Sequence, residues 1–97
     1  MAYYVLLLNF TDQGVRTVRD TTKRADAFKA MAEKSGAKVH TLLWTLGQYD
    51  VVGIVEAADD LAATALCLSA AEMGNVKTQT LRAFDAADMA KILGKMA

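Results

Sequence analysis

Tyr3-Tyr4-Val5-Leu6-Leu7-Leu8-Asn9-Phe10 decides how the rest of the chain must be arranged. Side chains alternate along a strand, so Tyr3, Val5 and Leu7 fall on one side and Tyr4, Leu6, Leu8 and Phe10 on the other. Both sides are apolar. A run this short and this rich in Leu, Val and Tyr reads as a strand buried on both faces. The remaining sequence must supply neighbours and something to cover each face.

Outward from that strand, Thr11-Asp12 is a helix-start signal. Val15, Val18, Thr22, Ala25, Phe28 and Ala32 then recur at three- and four-residue spacing, and Ser35-Gly36 ends the stripe. Asp20-Thr21-Thr22 is a second capping signal, where this helix is expected to kink or restart. Lys38 to Thr45 and Tyr49 to Glu56 read as strands joined through Leu46-Gly47-Gln48, a hairpin signal. Asp59-Asp60 caps an Ala-rich helix, Leu61 to Met73, closed by Gly74-Asn75. Val76 to Phe84 alternates as a fourth strand. Asp85 then caps a short terminal helix lined by Met89, Ile92, Leu93 and Met96, with Phe84 and Met89 spaced as a hydrophobic staple.

The order is β-α-β-β-α-β with an added C-terminal helix, the α+β ferredoxin-like pattern, expected over residues 1–97 as a single domain. In that pattern both crossover helices lie on one side of the sheet. The other side should then be polar at alternate positions. It is not: besides the first strand, Tyr49–Glu56 sets Val51 and Val55 against Val52 and Ile54. An open apolar face on a small protein marks an interface. The expectation is a homodimer whose two sheets pack face to face, a dimeric α+β barrel. The terminal helix is the other element able to cover part of that face.

Composition narrows the functional classes. The chain has 97 residues, 54% of them hydrophobic, with 11 basic and 11 acidic side chains and no net charge. One Cys cannot form a disulfide framework within the chain, and a structural zinc site needs about four Cys or His ligands. No uncharged run exceeds 11 residues, well short of the ~20 a membrane-spanning helix needs. The apolar start lacks the basic leader of a secretory signal, and Cys67 is unpaired, so a cytoplasmic location is expected. Arg16 to Lys38 carries seven basic and three acidic residues, interleaved at helical spacing as on a solvated face. With no basic aromatic stripe, neither nucleic acid nor membrane is expected as a partner.

Few residue types suited to catalysis remain. His40 alone has an ordinary pKa near neutrality, and it shares strand parity with Lys38, Leu42 and Trp44. Asp50 and Arg82 are the groups that could approach it in the fold. Ser35 and Ser69 lack a nucleophile-elbow context. Cys67, amid Ala63, Ala65, Leu66 and Leu68, reads as a buried, inert thiol. No metal-ligand cluster, Walker pattern or Gly-rich strand-to-helix turn is present, so no metal and no cofactor are expected. The most distinctive segment is Gly47-Gln48-Tyr49-Asp50. Glycine there supplies a positive φ, Asp bonds backbone amides, and Tyr presents an amphipathic ring.

These segments carry a family resemblance. Tyr4-Val5-Leu6-Leu7, Phe10-Thr11-Asp12-Gln13-Gly14, Trp44-Thr45-Leu46-Gly47-Gln48-Tyr49-Asp50 and Ile54-Val55-Glu56-Ala57 resemble the GYD domain family, small bacterial and archaeal proteins. Gly74-Asn75-Val76-Lys77-Thr78 and Thr80-Leu81-Arg82-Ala83-Phe84 extend the similarity over nearly the whole chain. The resemblance implies a ferredoxin-like, dimeric α+β barrel and no established reaction. Thr22 departs from the pattern, which has a proline after Asp20-Thr21. The hairpin is also similar to that of the ligand-sensing domains of feast/famine regulators, a likeness of fold alone.

The expected function is a stand-alone small-molecule-binding or sensing module. Asn9, His40, Trp44, Tyr49, Asp50 and Arg82 are its candidate ligand-binding residues, and no catalytic residue is assigned. The alternatives are a cofactor-independent monooxygenase or isomerase of the dimeric barrel type, with His40, Asn9 and Tyr49 in its cavity, and a purely structural assembly protein.

Overall fold

A computed structural model describes residues 1–97. Strand β1 (Ala2–Phe10) is followed by a short helix α1 (Asp12–Arg16), a 3-10 turn (Val18–Asp20) and helix α2 (Thr21–Lys34). Strands β2 (Lys38–Trp44) and β3 (Val51–Ala57) lead into helix α3 (Asp60–Glu72), strand β4 (Val76–Ala83) and helix α4 (Ala86–Gly94). The sheet order is β2-β3-β1-β4 and every neighbouring pair is antiparallel, the ferredoxin-like arrangement read from the sequence. β1 is central, as its two apolar sides require. No helix is long and apolar enough to cross a membrane.

Local chemistry sets the element boundaries. The Thr11 hydroxyl accepts from Gly14 N–H at 3.1 Å, and the Asp59 carboxylate accepts from Ala62 N–H at 2.9 Å, each satisfying an orphan donor of a first turn. Asp85 and Asp88 form a reciprocal capping box at α4. The restart expected at Asp20-Thr21-Thr22 is present, but the single stripe read from Val15 to Ala32 needs correction. The helix breaks at Thr17 and restarts at Thr21, so helical spacing does not carry across. Val15 and Val18 are exposed, and Thr21 rather than Thr22 turns inward.

The core lies between the sheet and helices α2 and α3. Tyr4, Leu6, Leu8, Val51 and Val55 meet Ala32, Ala63, Leu66 and Cys67, with Leu6 and Val55 almost fully enclosed. Each large side chain so buried contributes about 1.5–3 kcal/mol. The residues of β1 that alternate with these, Tyr3, Val5 and Leu7, face away from the helices. Register sets them beside Glu56, Ile54 and Val52 of β3 and Ala83, Leu81 and Gln79 of β4.

That second face is open. Ile54 and Leu81 at its centre are 39% and 43% exposed, and Leu43 lies at its β2 edge. Helix α4 does not cover it: none of its residues is buried, and it packs substantially against no other element. The molecule is elongated in consequence, 51 × 31 × 18 Å, with a radius of gyration of 14.5 Å against about 12.5 Å for a compact chain of this length. It exposes 6564 Å². A monomer of its mass exposes about 5,400 Å².

Candidate functional site

Four separate neighbourhoods hold the candidate residues. The first is the β2–β3 hairpin. Gly47 adopts φ +109, a conformation a side chain would strain, and this lets the loop turn back. Thr45 N–H donates to the Asp50 carbonyl at 2.9 Å, and the Thr45 hydroxyl donates to the Tyr49 carbonyl at 2.6 Å. Asp50 ties this loop to β1: its N–H donates to the Leu8 carbonyl, and its carboxylate accepts from Phe10 N–H, each at 2.9 Å. The Asn9 amide, oriented by its surroundings, donates to the Gln48 carbonyl at 2.9 Å. Tyr49 reaches across the sheet end, and its hydroxyl donates to Gln79 Oε1 on β4 at 3.0 Å. Asn9, Tyr49 and Asp50 therefore come together, with their polar atoms engaged within the fold.

The second neighbourhood surrounds His40 at the opposite end of the open face. β2 carries a bulge between Val39 and Thr41, so one extra residue opposes β3 there. The bulge overturns the expected parity. Lys38 shares the open face with His40, whereas Leu42 and Trp44, opposite Gly53 and Val51, face the helices. His40 Nε2 lies 2.5 Å from Glu56 Oε1, and its ring centroid is 5.7 Å from that of Tyr3. Neither Asp50 nor Arg82 approaches it; Glu56 is its partner. The Tyr3 hydroxyl is pushed to a higher pKa, chiefly by the Glu56 charge.

Arg82 belongs to a third group, on the helix side. Its guanidinium lies over the Phe84 ring at 4.6 Å and the Tyr4 ring at 5.6 Å, a cation–π arrangement. It donates to the Ala83 carbonyl, with Asp60 beyond at 4.0 Å. The Tyr4 hydroxyl donates to Asp60 Oδ1 at 2.6 Å. Burial, and then this bond to a carboxylate, push the Tyr4 pKa up to about 12.

The substantial cavity lies elsewhere, between α2, α3 and the helix side of the sheet, with a volume of about 310 Å³. Its walls are almost wholly apolar: Leu8, Phe10 and Leu42 from the sheet, Phe28 and Met31 from α2, Met73 behind α3. Of the six candidate residues only Trp44 lines it; its indole N–H donates to the Thr21 hydroxyl at 3.0 Å. Thr21, Arg24 and Asn75 are the polar lining residues, and sequence reasoning missed all three. The available signal was the α2 series Thr21, Arg24, Ala25, Phe28, Met31, one helix face when counted from the restart at Thr21. Cys67 is buried, with Sγ 3.3 Å from the Thr80 hydroxyl.

The barrel-enzyme alternative required His40, Asn9 and Tyr49 in a cavity. None of them lines this one. Its lining offers no group with an ordinary pKa near neutrality to act as acid or base.

Comparison with known proteins adds two findings. The family model described as GYD domain matches residues 4–93. A protein of Thermus thermophilus, described as "Glutamine synthetase and cystathionine beta-lyase binding protein", is 33% identical over 90 residues, which span 92% of this chain and 95% of that protein. No solved structure matches the chain.

Proposed function

The chain belongs to the GYD domain family, and from that premise we propose that it is a binding module, residues 1–97 working as one unit. It self-associates through its open sheet face and holds partner proteins as a homodimer. The uncovered apolar face carries this reading. The surface in excess of a monomer's is about 1,200 Å². A specific interface of standard size takes about 800 Å² from each partner, so a second copy is a sufficient cover. Val5, Leu7, Val52, Ile54 and Leu81 form the centre of the contact. The apolar stripe of α4, with Ile92 half-buried and Met89 and Leu93 exposed, extends it at the edge.

The similarity to the Thermus protein supports protein partners. Glutamine synthetase and cystathionine β-lyase are the first two to test. Immobilised chain is exposed to each purified enzyme, with an unrelated enzyme as control. Saturable binding to at least one is expected; no binding to either refutes this choice of partners. Sedimentation of the chain alone tests the dimer, with twice 10.4 kDa expected and 10.4 kDa refuting it.

Small-molecule sensing is a second reading, favoured by the 310 Å³ cavity. That volume stands at the small end of ligand pockets, which run from about 300 to 1,000 Å³. A ligand there touches β2, whose Leu42 and Trp44 face the cavity while Thr41 and Leu43 face the open sheet side.

A further inference from the structure

We propose that the cavity beneath α2 is a binding site for a small amphipathic carboxylate, with its apolar tail inside and its carboxylate at Arg24. This inference rests on the reading of the cavity as a ligand site and adds the ligand's chemical class.

The interior fixes the tail. Leu8, Phe10, Phe28, Met31 and Leu42 present hydrocarbon, aromatic edges and a thioether, with no polar atom that needs a partner. A polar or highly charged molecule would lose its hydration there without recovering it. A ring or a medium aliphatic chain loses nothing of the kind and gains by leaving water. The small volume excludes large ligands.

The lining polar groups fix the head. Thr21, Arg24 and Asn75 include one cation, and no acidic side chain lines the cavity. Arg24 is half-buried and already aligned. Its Nη1 donates to the Thr17 carbonyl at 3.0 Å and the Thr17 hydroxyl at 2.9 Å, and its Nη2 donates to the Gly14 carbonyl at 3.1 Å. These three bonds engage three of its five N–H groups and hold the planar fork in place, leaving two N–H groups for an incoming anion. Asn75 adds a second donor. Its side-chain oxygen accepts from Gln13 Nε2 at 3.0 Å, and its amide nitrogen makes no bond within the protein. A cation and an amide N–H beside an apolar hollow match a carboxylate on an apolar tail. An alcohol of the same length would fill the hollow and leave the cation unused.

The chain carries its own reporter, because its one tryptophan, Trp44, lines this cavity. The experiment is a titration of the full chain with octanoate and, separately, with 1-octanol, read by Trp44 emission. It is repeated with Arg24→Gln and with the cavity-filling variant Ala70→Leu. Octanoate is expected to shift the emission saturably and to raise Tm. In Arg24→Gln its affinity falls roughly tenfold or more, while that of 1-octanol is unchanged. In Ala70→Leu neither probe shifts the emission. Equal affinity for octanoate in wild type and Arg24→Gln overturns the carboxylate assignment while leaving an apolar ligand site in place. If neither probe binds wild type saturably, the ligand-site reading itself falls. Because 1-octanol reports the cavity without Arg24, a loss of both probes in Arg24→Gln identifies a damaged fold rather than a lost head-group contact, and the assignment is then decided with Arg24→Lys, which keeps the charge and is expected to retain most octanoate affinity. Loss of octanoate binding in Arg24→Lys equal to that in Arg24→Gln overturns it.

Discussion

Replacing Ile54 by Asp is the sharpest perturbation of the open sheet face. Ile54 stands opposite Val5 on β1 and Thr41 on β2, central to the face and 39% exposed in the single chain. In a dimer with two-fold symmetry the substitution occurs twice, and each carboxylate is carried into a contact centred on the uncharged side chains of Val5, Leu7, Val52 and Leu81. An uncompensated buried charge costs about 3–5 kcal/mol, so the pair costs about 6–10 kcal/mol of association free energy. At about 1.4 kcal/mol per factor of ten, the dissociation constant rises by about four to seven orders of magnitude. A nanomolar dimer becomes monomeric at micromolar concentration. Folding of each chain suffers far less, because Ile54 is not part of the enclosed core of Leu6, Val55 and Leu66; the strand penalty for Asp is about 1 kcal/mol. Sedimentation velocity at ~1 µM, alongside far-ultraviolet circular dichroism, separates the two effects. A folded Ile54→Asp protein of 10.4 kDa beside a wild type of twice that mass is expected. A folded variant that keeps the wild-type mass refutes the placement of the contact on this face.

Three further substitutions test the fold around the candidate residues. Tyr4 binds its proton more tightly in the native state, with a pKa pushed up to about 12 from 10.0, so its contribution to stability is complete below pH 10 and is lost between pH 10 and 12. Tyr4→Phe should flatten the fall of the urea midpoint above pH 10, and parallel curves for the two proteins would refute the assignment. Asp50→Ala removes the acceptor of Phe10 N–H and should cost about 1–2 kcal/mol, lowering Tm by roughly 5–15 °C, whereas an unchanged Tm in calorimetry would show that the hairpin is held otherwise. At Gly14 an added Cβ would sit 2.0 Å from the Asn75 carbonyl oxygen, a backbone atom, so Gly14→Ala should lower stability by about 3 kcal/mol or more in denaturant titration; a loss under about 1 kcal/mol would contradict that close approach.

The parts of the fold that were legible in the sequence are those set by local chemistry. The caps at Thr11, Asp59 and Asp85, and the stops at Gly36 and Gly74 with positive φ, depend on neighbours a few residues away. The two-sided apolarity of β1 foretold the uncovered face, and its central place in the sheet agrees with it. Parity in β2 was not legible, because a bulge inserts a residue without any distinctive residue type, and His40 with its partner Glu56 was misplaced for that reason. The position of Arg82 relative to His40 was not legible either. Its register opposite Tyr4 sends it to the helix side, against Phe84 and Asp60, away from the other candidates. The cavity was invisible because it arises where small α2 and α3 residues such as Ala25 and Ala70 stand opposite large sheet residues, a relation between distant segments. Asp50 and Tyr49 were found as a distinctive pair, but their hydrogen bonds to β1 and β4 give them work within the fold.

The claim that the apolar excess of this chain belongs between two copies of its sheet is tested most directly by isotope-filtered nuclear Overhauser spectroscopy. Methyl-labelled and unlabelled chains are mixed, so that only contacts between copies are seen. Intermolecular cross-peaks from the methyls of Val5, Leu7, Val52, Ile54 and Leu81 are the predicted result. Cross-peaks confined to the exposed helix-side leucines Leu61 and Leu68, or none at all, would contradict it.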